Sequence, residues 1–127
     1  NLQAMTYIGQ LRDQLEQHIK SHAPDAIFFG ANAARLPNTS TILMPGVLSE
    51  TQVMAFDLEG ICVSSGSACS SGKVKPSHVV SAMGGSEQQA LSTIRVSLGW
   101  RNRESDVQAF GKAWIRLYDR KRKAKNA

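Results

Sequence analysis

A run of nine small residues in the middle of the chain restricts its fold more than any other feature. Its hydroxyls, glycines and single thiol show no hydrophobic period. Side chains this small cannot form a buried face, so the run predicts an exposed, mobile loop, and the core must come from the segments on either side. Its one strong nucleophile is a thiol, and its residues are, in order, Ser64, Ser65, Gly66, Ser67, Ala68, Cys69, Ser70, Ser71 and Gly72.

Helical periodicity opens the chain. Apolar residues recur at every third or fourth position from Leu2 to Ile19, a pattern that predicts an amphipathic helix, and Pro24 ends it. Short apolar runs at residues 26–29 and 41–44 then predict two strands with a turn between them. The first part of the chain therefore reads as helix, strand, strand.

Helix-start and helix-end signals surround the next segment. Ser49 and Gln52 have the spacing of a capping box, and Gly60 stands where a left-handed C-terminal cap is needed. The sequence therefore predicts a helix over residues 50–59. A brief buried strand at residues 61–63 then leads into the small-residue run.

Three more elements follow that run. Pro76 occupies a first-turn position and predicts a short helix that ends at residues 84–85. Alternation over residues 93–98 predicts a strand with Arg95 on its polar face. Asn102 is placed to cap a final helix. The apolar stripe of that helix consists of Val107, Phe110, Trp114 and Leu117.

The order of these elements indicates the fold class. It suits an α/β fold of the α+β type, with a small, mostly antiparallel sheet and helices packed on one side. The chain has 127 residues, of which 42% are apolar, enough for one domain over residues 1–127. No internal repeat or interior boundary divides it. Because its first residue, Asn1, opens on sequence typical of the middle of a helix, we expect it to be part of a longer polypeptide.

Charge and cysteine content narrow the class of protein. The whole excess of the +5 net charge lies in residues 103–127, and we expect its basic end, residues 120–125, to fray into solvent. Because no aromatic residues interleave this end, it does not favour nucleic-acid binding. No window approaches the roughly 18 apolar residues of a membrane span, and no leader opens the chain, which favours a cytoplasmic protein without a membrane partner. Two cysteines seven positions apart fit neither a disulfide framework nor a metal site.

Residue chemistry alone leaves the roles of the candidate residues open. Cys69 is either a nucleophile or an incidental surface thiol, whereas Cys62, between two apolar residues, suits a buried structural thiol. Arg95 can hold a carboxylate through two parallel hydrogen bonds, or it can form a structural ion pair with a local acid. His78 suits the start of its short helix, with a proton relay as the alternative.

Several segments together resemble a known family. Residues 64–69, Ser-Ser-Gly-Ser-Ala-Cys, are similar to the active-site loop of the group I (NifS/IscS-like) cysteine desulfurases, within the class V aminotransferase superfamily. Residues 35–39, 76–79 and 93–99 resemble other motifs of that family in the same order. The short Arg-x-Gly-His-His-Cys motif of the group II enzymes is not present, which favours the long-loop group.

This resemblance implies roles for two residues and a cofactor for the whole enzyme. Cys69 corresponds to the cysteine that takes sulfur from L-cysteine as a persulfide and releases L-alanine, and Arg95 to the arginine that binds the substrate carboxylate. The family holds pyridoxal 5'-phosphate through a lysine in a Ser-x-His-Lys motif of a large preceding domain, and none of the seven lysines here has that context. The chain is thus expected to be the C-terminal small domain, with no cofactor bound and no activity by itself.

The same resemblance implies partners and leaves alternatives. The complete enzyme is expected to be a homodimer that passes sulfur to an acceptor or scaffold protein, as in iron–sulfur cluster biosynthesis. A selenocysteine lyase, or another pyridoxal-phosphate transferase of class V, would carry similar residues. A sulfur-relay or docking module that works without the large domain is a further alternative, because the reactive thiol lies in an exposed run.

Overall fold

The structure is a computed structural model, and it describes residues 2–30, 38–57, 63–65, 68–70, 73–75, 80, 84–99 and 101–126. Its helices are α1 (Leu2–His22), α2 (Ser49–Asp57), α3 (Glu87–Ala90) and α4 (Glu104–Asn126). Its strands are β1 (Ile27–Phe29), β2 (Thr39–Leu43), β3 (Val63–Ser65), β4 (Ala68–Ser70), β5 (Lys73–Lys75) and β6 (Thr93–Ser97).

Four of the strands form one antiparallel sheet in the order β1-β2-β6-β3. Ile42 pairs with Ile94 across β2 and β6, and both side chains are fully buried in the cluster that α1, α2 and α4 share. The three longer helices therefore cover one face of the sheet, which confirms the predicted fold class. Strands β4 and β5 form a separate antiparallel hairpin.

Helices α1 and α4 each contribute a buried stripe to the core. The stripe predicted for the last helix is confirmed, since Trp114 is fully buried and its neighbours on the stripe are at most 4% exposed. The Tyr118 ring stacks on Trp114 at 5.4 Å, and Phe56 of α2 meets Phe110 edge to face at 5.1 Å. On α1 the expected stripe is buried from Ile8 to Ile19, but Met5 is 40% exposed because the first turns of α1 extend beyond the core.

The capping box predicted for α2 is wrong. The Ser49 N–H donates to Leu91 O at 2.7 Å, so it does not bond the Gln52 side chain. Gln52 is fully buried, and its Nε2 donates to Val47 O and Ser92 O, both at 2.9 Å. The side chain therefore ties the start of α2 to the chain entering β6. The helix is described as far as Asp57; residues 58–60, with the predicted cap, lie outside the described residues.

The same four-residue pattern does form a capping box elsewhere. Ser86 Oγ accepts from Gln89 N at 3.0 Å, and Gln89 Oε1 accepts from Ser86 N at 2.9 Å, which starts the single turn α3. The N-cap predicted at Asn102 is off by one residue, because Val107 N donates to Arg103 O. Asn102 Oδ1 instead accepts from Gly99 N at 2.6 Å and holds the turn before α4.

Other boundaries moved by one or two residues. The predicted strand at 41–44 is Thr39–Leu43, so Thr39 belongs to a strand and not to the turn. The basic end of α4 does not fray, since the helix continues to Asn126. Of the short helix predicted after Pro76, only Val80 is described, and it is helical; residues 61–62, 76–79 and 81–83 lie outside the described residues.

Candidate active-site face

The face of the sheet that α1, α2 and α4 leave open carries one row of four side chains, one from each strand. Thr41 pairs with Phe29 on one side and with Arg95 on the other, and Arg95 pairs with Ser64. Residues directly opposite in antiparallel strands project to the same face, with Cα atoms about 4.5–5.5 Å apart. The row therefore runs from an apolar side chain through a hydroxyl and a guanidinium to a second hydroxyl.

Arg95 is the charged member of this row. Its side chain is exposed, as the alternation of the sequence predicts, whereas Ile94 and Val96 on the helical face are buried. Nine of the ten acidic residues lie in the described part of the chain, all except Glu59, and none of those nine pairs with Arg95. Among the described residues, the structural ion pair considered above is thus not formed.

An apolar cluster covers the other end of the open face. Phe29 and Leu43 from the sheet pack with Val80 and Ala90, and all four are at most 7% exposed. The chain returns over this cluster at Gly85, whose N–H donates to Val80 O at 2.9 Å. Thr41 lies between this apolar cluster and Arg95, so apolar side chains border the row on the side away from Arg95.

Cys69 lies on a short hairpin that leaves the sheet beside Arg95. It is in the middle of β4 and pairs with Val74 of β5. The run predicted as an exposed, mobile loop contains strand pairing in its described part, since Ser64, Ser65 and residues 68–70 are extended and paired. Pairing with β6 and β5 gives their backbone groups partners, which outweighs the low strand preference of small residues.

The connection between Cys69 and the row is short. Ser64 lies opposite Arg95, and Cys69 follows five residues later, so the Cα atoms of Ser64 and Cys69 are at most about 18 Å apart. The chain thus sets an upper limit on the distance between the backbone of Cys69 and the strand position opposite Arg95. The other candidates from the sequence, Cys62 and His78, lie outside the described residues.

A polar cluster at the ends of α1 and α4 did not emerge from the sequence. The Tyr118 hydroxyl donates to Asp25 Oδ1 at 2.6 Å and accepts from Arg122 Nη1 at 2.7 Å, while His22 Nε2 and Asp119 Oδ1 are in hydrogen-bond contact at 2.9 Å. Burial, followed by the hydrogen bond to Asp25, raises the pKa of Tyr118. Asp25 lies 93 residues from Tyr118 in the sequence, so no local pattern could reveal this cluster. The bond between His22 and Asp119 joins α1 to α4.

Comparisons with known proteins identify the family to which the chain belongs. The elements define a small α/β domain with an antiparallel four-stranded sheet, an arginine without an acidic partner among the described residues, and a separate hairpin that contains a cysteine. The family model "Aminotransferase class-V" matches residues 2–110, and the chain belongs to that family. Its relatives include a cysteine desulfurase of Klebsiella pneumoniae, 37% identical over 84% of this chain, and one of Cereibacter sphaeroides, 48% identical over 69% of it.

A solved structure is similar over most of the chain. A NifS-like protein from Rickettsia africae superposes with a TM-score of 0.74 at 36% identity, covering 91% of this chain and 29% of that one. The two desulfurases are covered over 27% and 23% of their length. The chain therefore spans about a quarter of the length of the curated relatives it matches.

None of the lysines whose side chains the structure describes is placed to hold pyridoxal phosphate. Lys20 Nζ donates to Pro24 O at 2.9 Å and Ala26 O at 2.8 Å, so it closes the end of α1. Lys112, Lys121 and Lys123 are exposed on α4, away from the open face. The described part also contains no cluster of three metal-ligating side chains, and none of its helices is long and apolar enough to cross a membrane.

Proposed function

We propose that this chain is the C-terminal small domain of a cysteine desulfurase. The observation that carries the proposal is Arg95, an exposed guanidinium without an acidic partner among the described residues. Arg95 pairs with Ser64 on the neighbouring strand, and Cys69 follows Ser64 by five residues. The similarity to curated cysteine desulfurases supports the same reading.

Arg95 binds the carboxylate of L-cysteine. A guanidinium offers two parallel N–H donors that match the two oxygens of a carboxylate, and it stays charged at any physiological pH. Its position in the middle of a sheet restricts the backbone, because β6 is paired on both sides. The backbone that carries the guanidinium is thereby held at a fixed position in the sheet.

Cys69 receives the sulfur. Its thiol and L-cysteine give the Cys69 persulfide and L-alanine: the C–S bond of the substrate breaks, an S–S bond forms, and the substrate carbon takes up a proton. Pyridoxal phosphate, held by the rest of the protein, supplies the electron sink for this cleavage. The persulfide then donates its outer sulfur to an acceptor, and the chain by itself is inactive because it lacks the cofactor lysine.

Other parts of the proposal rest on the resemblance to desulfurases. These are a homodimer, a sulfur-acceptor or scaffold protein as partner, and a place in the cytoplasm. His78 is an auxiliary candidate for proton transfer. It lies two residues before Val80 in the sequence, and Val80 packs against Phe29 at the end of the row.

Replacing Cys69 tests the proposal in the complete enzyme that contains this chain. We expect Cys69→Ser to abolish formation of L-alanine and of persulfide from L-cysteine, while the absorbance of the bound cofactor stays unchanged. The matched control Cys62→Ala removes the other thiol and should keep the activity. Retained alanine and persulfide production in Cys69→Ser would show that the sulfur does not pass through this residue.

A further inference from the structure

We infer that Thr41 is a positioning residue for the substrate: its hydroxyl donates a hydrogen bond to the same carboxylate that Arg95 holds. The inference rests on the proposed function and adds a second donor to the carboxylate site. The strand pairing carries it, because Thr41 lies directly opposite Arg95 and on the open face of the sheet.

The Thr41 hydroxyl differs from the other buried hydroxyls of the sheet. Ser40, Thr41 and Thr93 are all at most 7% exposed. Ser40 Oγ donates to Glu16 Oε2 at 2.6 Å, and Thr93 Oγ1 donates to Gln89 O at 2.6 Å. Thr41 alone of these three has no side-chain hydrogen bond among the described residues. Among the described residues, the Thr41 hydroxyl is therefore left able to donate to a group bound on the open face of the sheet.

The neighbours of Thr41 define what that ligand can be. Phe29 closes the row on one side, and it is 7% exposed within an apolar cluster. Arg95 on the other side requires an anion. A ligand group that fits between them presents negative oxygens toward Arg95 and still accepts a hydrogen bond from Thr41. In the proposed substrate, L-cysteine, the group with this chemistry is the carboxylate.

A carboxylate has enough acceptor capacity for both residues. Its two oxygens offer about four lone-pair positions, and a parallel pair of bonds from Arg95 uses two of them. The Thr41 hydroxyl can bond a third without displacing the guanidinium. Because Phe29 shields this side from water, the bond is stronger than it would be in an open site.

The threonine also restricts the angle of the carboxylate. Arg95 has a long, exposed side chain that alone leaves the bound group free to swing. A short β-branched side chain on the neighbouring strand has few rotamers. Thr41 thus fixes the plane of the carboxylate, and the rest of the substrate extends toward the hairpin that carries Cys69.

The test is a set of variants in the complete enzyme, with KM and kcat measured separately for L-cysteine. Thr41→Val keeps the shape and the strand preference but removes the hydroxyl. We expect KM to rise roughly tenfold or more, the usual loss for a hydrogen bond to a charged group, with little change in kcat. Inhibition by L-alanine, which has the carboxylate and no sulfur, should weaken by the same factor, and Thr41→Ser should restore both values.

A matched control lies two residues earlier on the same face. Thr39 pairs with Ser97, and its hydroxyl bonds Asn38 Oδ1 at 3.3 Å, so Thr39→Val should leave KM unchanged. If Arg95→Ala raises KM and Thr41→Val does not, the inference is wrong and the proposed function stands. If Arg95→Ala leaves KM unchanged, the proposed carboxylate site itself is wrong. A fall in kcat and in melting temperature for Thr41→Val, without a change in KM, would mean a purely structural role and overturn the inference.

Discussion

The Phe29 ring packs so closely over Gly85 that a Cβ atom on Gly85 would lie 2.9 Å from Phe29 Cε1. The same atom would lie 2.5 Å from Val80 Cγ1 and 3.0 Å from Val80 O. Real Cβ atoms do not approach other atoms at the shortest of these distances. The apolar cluster that covers one end of the open sheet face therefore requires a residue without a side chain at position 85.

We expect Gly85→Ala to destabilise the domain by about 1–3 kcal/mol, the usual cost of overpacking a well-packed core. One of the crowded atoms is a backbone oxygen, so the added methyl cannot be accommodated by rotation of side chains alone. Urea denaturation measures the change. The control is Gly99→Ala, where the nearest atom to a new Cβ is Asn102 Oδ1 at 3.9 Å and no loss is expected. Equal stability of the two variants would contradict the close packing described for residue 85.

The buried Gln52 amide gives a second prediction. Its Nε2 donates to Val47 O and to Ser92 O. Ser92 O also accepts from Met44 N, so it keeps a donor when the amide is removed. Val47 O is then left with no donor that the structure describes. We expect Gln52→Met, which keeps the length of the side chain, to lower the free energy of unfolding by about 1–3 kcal/mol. Gln52 Oε1 already lacks a partner among the described residues, which places the change in the lower part of that range.

An exposed glutamine makes the comparison for this variant. Gln10 lies on the solvent side of α1, and Gln10→Met should change the stability by at most about 0.5 kcal/mol. Urea denaturation of both variants separates the buried amide from the general effect of adding a methionine. If Gln52→Met is as stable as the wild type, the two hydrogen bonds contribute nothing to the fold.

Gln52 also shows why the sequence could predict only part of this structure. Ser49 to Gln52 and Ser86 to Gln89 share one pattern, but only the second pair forms a capping box. In the first pair the Ser49 N–H and the Gln52 side chain are taken by residues about 40 positions away, which a local pattern cannot contain. The core stripe of α4 was predictable because helical periodicity depends only on neighbours within the same helix.

The candidate site divides in the same way. The alternation of β6 placed Arg95 on the polar face, and the structure agrees. The row that joins Phe29, Thr41, Arg95 and Ser64 could not be derived from the sequence, because register between strands depends on tertiary pairing. The hairpin around Cys69 could not be predicted from its small residues either, because their side chains have little preference for a strand.

The start of α4 gives the last prediction, a dependence of stability on pH. Asp106 Oδ2 accepts from Arg103 N at 2.9 Å, and this bond, followed by the one from the Asn102 amide, lowers the pKa of Asp106 below its ordinary value of 3.8. A lowered pKa means that the folded state favours the ionised carboxylate. The contribution of Asp106 to the free energy of unfolding is therefore complete above the pKa of the unfolded state and is lost as the pH falls through the lower pKa of the folded state.

We expect Asp106→Asn to melt at a lower temperature than the wild type at pH 7, because the amide loses the charge at the helix N-terminus. The difference should narrow as the pH falls from 3.8 through the lowered pKa of the folded state, where the wild-type carboxylate becomes protonated as well. Glu104→Gln is the control, because it removes a charge from the same first turn of α4 at an exposed residue. Thermal melts of all three proteins from about pH 7 to about pH 2.5 follow this change. A difference between wild type and Asp106→Asn that is as large at the acid end as at pH 7 would mean that the hydrogen-bonded shape of the side chain, and not its charge, stabilises the start of α4.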